Sequence, residues 1–246
     1  MAKIDANEMH YKVLNEKILS LTKQGEKHIE LQHVCGQKFI GDGLKGNVKI
    51  DIYGIPGNDL AAFMDGPEIE VHCNGQDGIG NTMNAGTVVI HGHAGDVIGY
   101  GMRGGKIFIQ GDVGYRVGIH MKAYLNNVPY IVIGGTACNF FGEYMAGGVM
   151  VLLGLNTTDG CPMAGDYVGS GMHGGVVYIR GDVEDRYLAR DVRKTELDDA
   201  DRARLEPLVK EYCQHFGYDY KTAMDSKKFI KLVPRSSRPY GNLYTS

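Results

Sequence analysis

Hydrophobic positions in the middle of this chain come in short bursts rather than long faces. Four stretches align: Gly80–Gly92 (GNTMNAGTVVIHG), Gly99–Gly111 (GYGMRGGKIFIQG), Gly142–Gly154 (GEYMAGGVMVLLG) and Gly169–Gly181 (GSGMHGGVVYIRG). Each reads G-x-x-M-x-x-G, then five mostly apolar residues, then glycine. Weaker copies surround them: Gly46 opens NVKIDIY and Gly66 opens PEIEVH. Gly118–Tyr124 keeps G-x-x-M but puts Tyr124 where the turn glycine belongs, and its strand, Tyr130–Ile133, follows a short insertion. The anchors Gly46, Gly66, Gly86, Gly105, Tyr124, Gly148 and Gly175 lie 20, 20, 19, 19, 24 and 27 residues apart. A period near 20 with a short strand in each copy predicts a β-solenoid. The longer intervals predict loops that bulge from single coils.

Alternation inside the strands assigns their two faces. Val88 and Ile90, Ile107 and Ile109, Met150 and Leu152, and Val177 and Ile179 hold equivalent sites and should point inward. Side chains on one face would stack on the coils above and below, ~4.8 Å away. Lys106, Phe108 and Gln110 should point outward. The turns fall at Gly80, Gly86, Gly99, Gly101, Gly105, Gly142, Gly148, Gly169, Gly171 and Gly175, where positive φ or close backbone approach favours glycine. Met83, Met102, Met121, Met145 and Met172 recur once per coil, which predicts an internal methionine stack filling a corner. A methionine copper site would need these sulfurs clustered at the surface. About seven coils give a column roughly 35 Å long.

The ends lack this pattern. Residues 1–30 read as a helical cap, with Met9, Val13, Leu14 and Ile18 at helical spacing between Asn7 and Ser20. An open solenoid end needs such a cover. Residues 31–190 form the repeating body, and 191–246 a helical segment and arm. Thr195–Phe216 reads as a helix with Thr195 as N-cap, acids at Glu196, Asp198, Asp199 and Asp201, and Gly217 as its stop. Pro207 should kink or split it. Tyr220–Leu232 reads as a short basic-ended helix, and Val233–Ser246 as an arm lying on its own body or a partner.

Composition narrows the chemistry. Glycine is 36 of 246 residues, about 15% and roughly twice the usual share, while proline is only 7. A net charge of −3 gives no global pull toward nucleic acid or an acidic membrane. No apolar run approaches membrane-spanning length, and MAKIDANEMHYKVL is not a secretory signal. The expected compartment is the cytoplasm. Cys35, Cys73, Cys138, Cys161 and Cys213 are widely spaced, which predicts reduced, mostly buried thiols rather than a cysteine-ligated metal.

The tempting motifs are weak. Gly99-x-Gly101-x-x-Gly104 and Gly169-x-Gly171-x-x-Gly174 match a dinucleotide fingerprint, but apolar strands follow them where that motif needs a helix. His91-Gly92-His93 is an H-x-H, and aligned strands put His72 over His91, both outward. His72, His91 and His93 are the candidate metal ligands; the alternative is a solvent-facing polar column with Asp51, Gln110 and Arg180. Asp42, Asp59, Asp65, Asp77, Asp96, Asp112, Asp166 and Asp182 sit at or near turns, where aspartate accepts backbone N–H groups. A paired-carboxylate glycosidase or carbohydrate-binding solenoid is the rival reading, and the absence of tryptophan argues against it. No catalytic residue emerges.

The run Gly75–Leu155 resembles the GXGXG domain of glutamate synthase large subunits, their C-terminal right-handed β-helix. The segment from Leu205 through FIKLVPRSSR at 229–238 is similar to the helical end of those subunits, so the resemblance spans roughly residues 30–238. The superfamily also holds the β-helical subunit of formylmethanofuran dehydrogenases and stand-alone subunits of complexes similar to glutamate synthase and N-methylglutamate synthase. The resemblance implies a mainly β, right-handed, single-stranded β-helix with terminal helices. In that family the glutaminase uses an N-terminal cysteine, and FMN and an iron–sulfur cluster sit in a β/α barrel; the β-helix carries no catalytic residue. This chain starts Met1-Ala2 and has no barrel length and no clustered cysteines. The expectation is a noncatalytic scaffold that binds no cofactor itself. FMN and an iron–sulfur cluster would sit on a partner synthase subunit, beside a glutamine amidotransferase subunit. Self-association is also expected to be possible, with neither nucleic acid nor membrane as a partner.

Overall fold

The computed structural model describes residues 1–155, 157, 161–225 and 229–237. In chain order it contains β1 (Ala2–Asp5), α1 (Tyr11–Lys23), β2 (His28–Cys35), β3 (Lys49–Ile55), β4 (Asp65–Val71), β5 (Ala85–Ile90), β6 (Lys106–Ile109), β7 (Tyr130–Ile133), β8 (Ala146–Leu152) and β9 (Gly174–Arg180). After these come β10 (Val192–Thr195), α2 (Asp199–Phe216), α3 (Tyr220–Asp225) and β11 (Phe229–Pro234). Strands β1 to β9 stack in sequence order as parallel neighbours, and β11 then β10 add antiparallel at the far edge. The result is a mainly β, right-handed solenoid of several coils, with one strand of each coil in a shared sheet.

The register follows the repeat. Val88, Ile107, Ile131, Met150 and Val177 are successive partners, as are Ile90, Ile109, Ile133, Leu152 and Ile179. All of these are fully buried inside the column. Met83, Met102, Met121, Met145 and Met172 join the same core, each at most 1% exposed. Each such side chain contributes ~1.5–3 kcal/mol by burial.

Backbone hydrogen bonds also tie coil to coil at the turns: Asp59 N–H donates to Asp77 O (2.9 Å), Gly78 to Asp96 O (2.9 Å) and Val97 to Tyr115 O (2.8 Å). These turns need left-handed backbone. Gly105 has φ +82°, and a Cβ there would stand 2.6 Å from Met83 Cε and 2.8 Å from Gly86 O. The other nine predicted turn glycines also take positive φ. The insertion after Tyr124 bulges outward, with Tyr124 and Asn127 paired and Leu125 85% exposed.

The termini depart from expectation. The N-terminal segment contributes a strand as well as a helix: β1 pairs with β2, and α1 begins at Tyr11 with Leu14 and Ile18 buried. Helix α2 starts at Asp199, not Thr195, which ends β10. Asp198 is its N-cap, forming a reciprocal capping box with Asp201 that satisfies two orphan donors. Pro207 lies inside this one helix, and Gly217 closes it at φ 71°. Tyr220–Leu232 is not one helix, because Phe229–Leu232 pairs as strand β11 with β9. Of the expected arm, residues 238–246 lie outside the described residues. Contrary to the expectation from the sequence, the thiols are not mostly buried: Cys213 is buried, whereas Cys35 and Cys161 are exposed.

Helix α2 does not cap a column end. It lies along the outward face of the sheet. Leu205, Leu208, Val209, Tyr212 and Cys213, spaced as one helical face, pack with Val89, Phe108, Val132, Val151 and Tyr178. Phe108 therefore points outward from the column and is still 0% exposed.

Candidate functional site

The outward sheet face changes chemistry along its length. One register column runs Glu30, Asp51, Glu70, Val89, Phe108, Val132, Val151 and Tyr178. Its first three members are acids on β2, β3 and β4, beyond the end of α2. Asp51 is thus in register with Glu70, two residues before His72, and not in the His72 column. Nor is that column solvent-facing throughout: Arg180 is 6% exposed and donates to Leu153 O (3.2 Å) and Thr222 O (3.3 Å).

Around the acids sit three histidines. His72 follows β4 and His91 follows β5, so both rings stand at equivalent strand ends. They stack at 5.3 Å between centroids with planes 19° apart. Tyr53 stacks on the other side of His72 at 4.5 Å, and Phe216, the last residue of α2, meets His91 edge-on at 5.1 Å. His72 Nε2 pairs with Asp51 Oδ1 at 3.1 Å, His91 Nε2 with Glu70 Oε1 at 2.8 Å, and His28 Nε2 with the other Asp51 oxygen. Lys49 Nζ lies 2.8 Å from Glu70 Oε2 and 3.7 Å from Asp51 Oδ1.

These contacts set the charge states. Burial alone would raise the Glu70 pKa, but hydrogen bonds from Lys49 and His91 outweigh it and hold the carboxyl at about 2. The Glu70 hydrogen bond pushes Lys49 above the ordinary lysine range. Glu70 is therefore an anion at neutral pH.

Glu70, His72 and His91 each bring one donor atom to within 4.8 Å of the others. His93 does not join them. The turn after Gly92 sends it away, and its Nδ1 accepts from the Asp112 backbone N–H at 2.9 Å. Sequence reasoning found the two stacked histidines, placed Asp51 in the wrong column, and missed Glu70, His28 and Lys49. Strand register carries that signal, because residues 19–21 positions apart on equivalent coils become neighbours.

Three of the turn aspartates are spent on structure. Asp77 Oδ1 accepts from Asp96 N–H (2.9 Å), Asp96 Oδ1 from Tyr115 N–H (2.8 Å) and Asp112 Oδ1 from Thr136 N–H (2.7 Å). The two fingerprint-like glycine runs lead into β6 and β9 rather than into helices. No helix among the described residues is long and apolar enough to cross a membrane.

A stack of glycine-turned coils with an internal methionine line defines the class: a β-solenoid with a helix strapped to one face. The chain belongs to the GXGXG motif family, whose model matches residues 21–235. It is 47% identical over 249 aligned residues to the uncharacterized protein MJ1350 of Methanocaldococcus jannaschii, covering 98% of this chain and 95% of that one. It is 31% identical over 226 residues to ferredoxin-dependent glutamate synthase 2 of Synechocystis, covering 85% of this chain but only 14% of that protein. Among solved structures, a chain of the formyltransferase/hydrolase complex from Methylorubrum extorquens, crystallised with methylofuran, superposes with a TM-score of 0.61 at 22% identity. That likeness covers 82% of this chain and 72% of the other, and it shows the shared fold.

Proposed function

We propose that this chain is a noncatalytic β-solenoid subunit of a multi-subunit complex of oxidoreductase type, where it holds catalytic modules in place. The observation that carries this reading is proportion. The match to a far larger glutamate synthase covers 85% of this chain but 14% of that protein, and a relative of almost the same length as this chain aligns over 95% of its own length. The chain is thus the counterpart of one module of a large enzyme. The internal chemistry supports the role, since Asp77 and Asp96 cap backbone groups and the methionines fill the core. A stacked solenoid is stiff, and catalytic modules that exchange an intermediate need fixed geometry to within about half an ångström.

Two finer readings differ in the chemistry of the partners. The identity to glutamate synthase supports partners that are a glutamine amidotransferase and an FMN/iron–sulfur synthase. The likeness to a chain of comparable extent in a formyltransferase/hydrolase complex supports a separate solenoid subunit in a one-carbon-transfer assembly. Affinity isolation of the tagged chain from its native cells, with mass spectrometry and an absorbance spectrum, tests both. Flavin and iron–sulfur bands with an amidotransferase partner support the first. A formyl-transferring or pterin-binding partner supports the second. Recovery of the chain alone, with retention on glycan arrays, would contradict a scaffold role.

A further inference from the structure

We propose that Glu70, His72 and His91 form a binding site for one divalent transition-metal ion. Two imidazoles and a carboxylate are the donor set that first-row divalent ions prefer, and three protein ligands leave a coordination position open. The arrangement is built before any ion arrives. Both rings are clamped in one stack, Tyr53 outside His72 and Phe216 against the edge of His91. Little rotamer freedom is therefore left to lose on binding.

The carboxylate is prepared as well. Lys49 occupies Glu70 Oε2 at 2.8 Å, which leaves Oε1 directed at His91. Asp51 fixes the His72 ring at 3.1 Å and takes His28 on its other oxygen. The three donors already lie within 4.8 Å of one another, so the ion need only draw them in by small side-chain shifts. They stand on the ends of β4 and β5, adjacent coils of a rigid sheet. On binding, the ion would take the place of the hydrogen between His91 Nε2 and Glu70 Oε1, and the neutral ring would carry its proton on Nδ1 instead.

The test is titration of the purified chain with zinc chloride in a calorimeter, followed by cobalt(II) and its visible absorption. We expect one ion per chain. Glu70→Gln, which keeps the shape of the side chain, and His91→Ala should each weaken binding by at least the ~10–100-fold that even outer-shell changes cost. His93→Ala should bind as the native chain does. Thermal melts of each variant confirm the fold. Failure of the native chain to bind zinc would overturn the proposal. So would binding of unchanged stoichiometry and affinity in the His72→Ala/His91→Ala double variant. Either result leaves the scaffold reading untouched.

Discussion

The outward face of β5 to β9 and that of β2 to β4 belong to one continuous sheet, yet they meet different surroundings. On the first, Val89, Phe108, Val132, Val151 and Tyr178 lie under α2 and are fully buried. On the second, Glu30, Asp51 and Glu70 occupy the same column and are paired with Lys3, Lys49, His28 and His91. The inward face shows no such division, because the core there is apolar along the whole column. The interior repeat builds the solenoid, and the outward column decides where the helix docks and where polar groups stay available. Phe216 marks the border, since it closes α2 and touches His91.

The largest effect should come from removing what joins helix to sheet. Tyr212 is fully buried and donates its hydroxyl to Gln110 O at 3.2 Å. It sits so close above Gly134 that a Cβ there would collide with that hydroxyl. Tyr212→Ala should cost about 3–5 kcal/mol in urea unfolding. A cost below ~1 kcal/mol would mean the helix is not held by this face.

Next is the polar anchor at the other end of α2. Asp201, with its side chain 3% exposed, accepts from Lys231 Nζ (2.6 Å) and the Tyr178 hydroxyl (2.6 Å). Asp201→Asn should destabilise by ~2–4 kcal/mol, read from the same unfolding curves, because it strands a partly buried lysine and weakens the cap. Breaking the ion pairs of the charged half should cost much less. Lys49 is 38% exposed, so Lys49→Ala should change stability by only ~0–1 kcal/mol. A loss as large as that of Tyr212→Ala would erase the contrast between the halves.

Acid should act on both halves. Burial pushes the Asp201 carboxyl up, but Lys231 and Tyr178 outweigh it and hold the pKa at about 2, against an ordinary 3.8. Glu70 is held at about 2 against 4.5. A depressed native pKa stabilises fully above the unfolded value, and the gain is lost as pH falls toward the native one. Stability measured by near-ultraviolet circular dichroism should therefore decline between about pH 4.5 and 2. The Asp201→Asn variant should show a shallower decline.

The interior was legible in the sequence because it obeys one rule per coil. Glycine marks many of the left-handed turn positions, although Val97, Arg116, His120 and Tyr144 take positive φ as well; methionine fills one corner, and alternating aliphatics such as Ile107 and Ile109 face inward. The position of α2 was less legible. Outward Phe108 reads as an exposed residue until Val89, Val132 and Val151 are seen to share its column. Phe229–Leu232 was misread because so short an apolar run fits a helix or a strand equally well, and only pairing with β9 decides it. The candidate site was half legible. His72 and His91 align by period alone, while Glu70 and Asp51 enter through a register that spacing between motifs does not fix.

Reconstitution tests the scaffold claim most directly. Turnover of glutamine, 2-oxoglutarate and formyl donors, each with a suitable reductant or acceptor, should be measured for the purified chain alone and for its co-isolated partners with and without it. A scaffold gives no turnover by the chain alone, and coupled turnover by the partners that collapses when the chain is left out. Steady turnover by the isolated chain, or partners that couple equally well without it, would rule out a scaffold role.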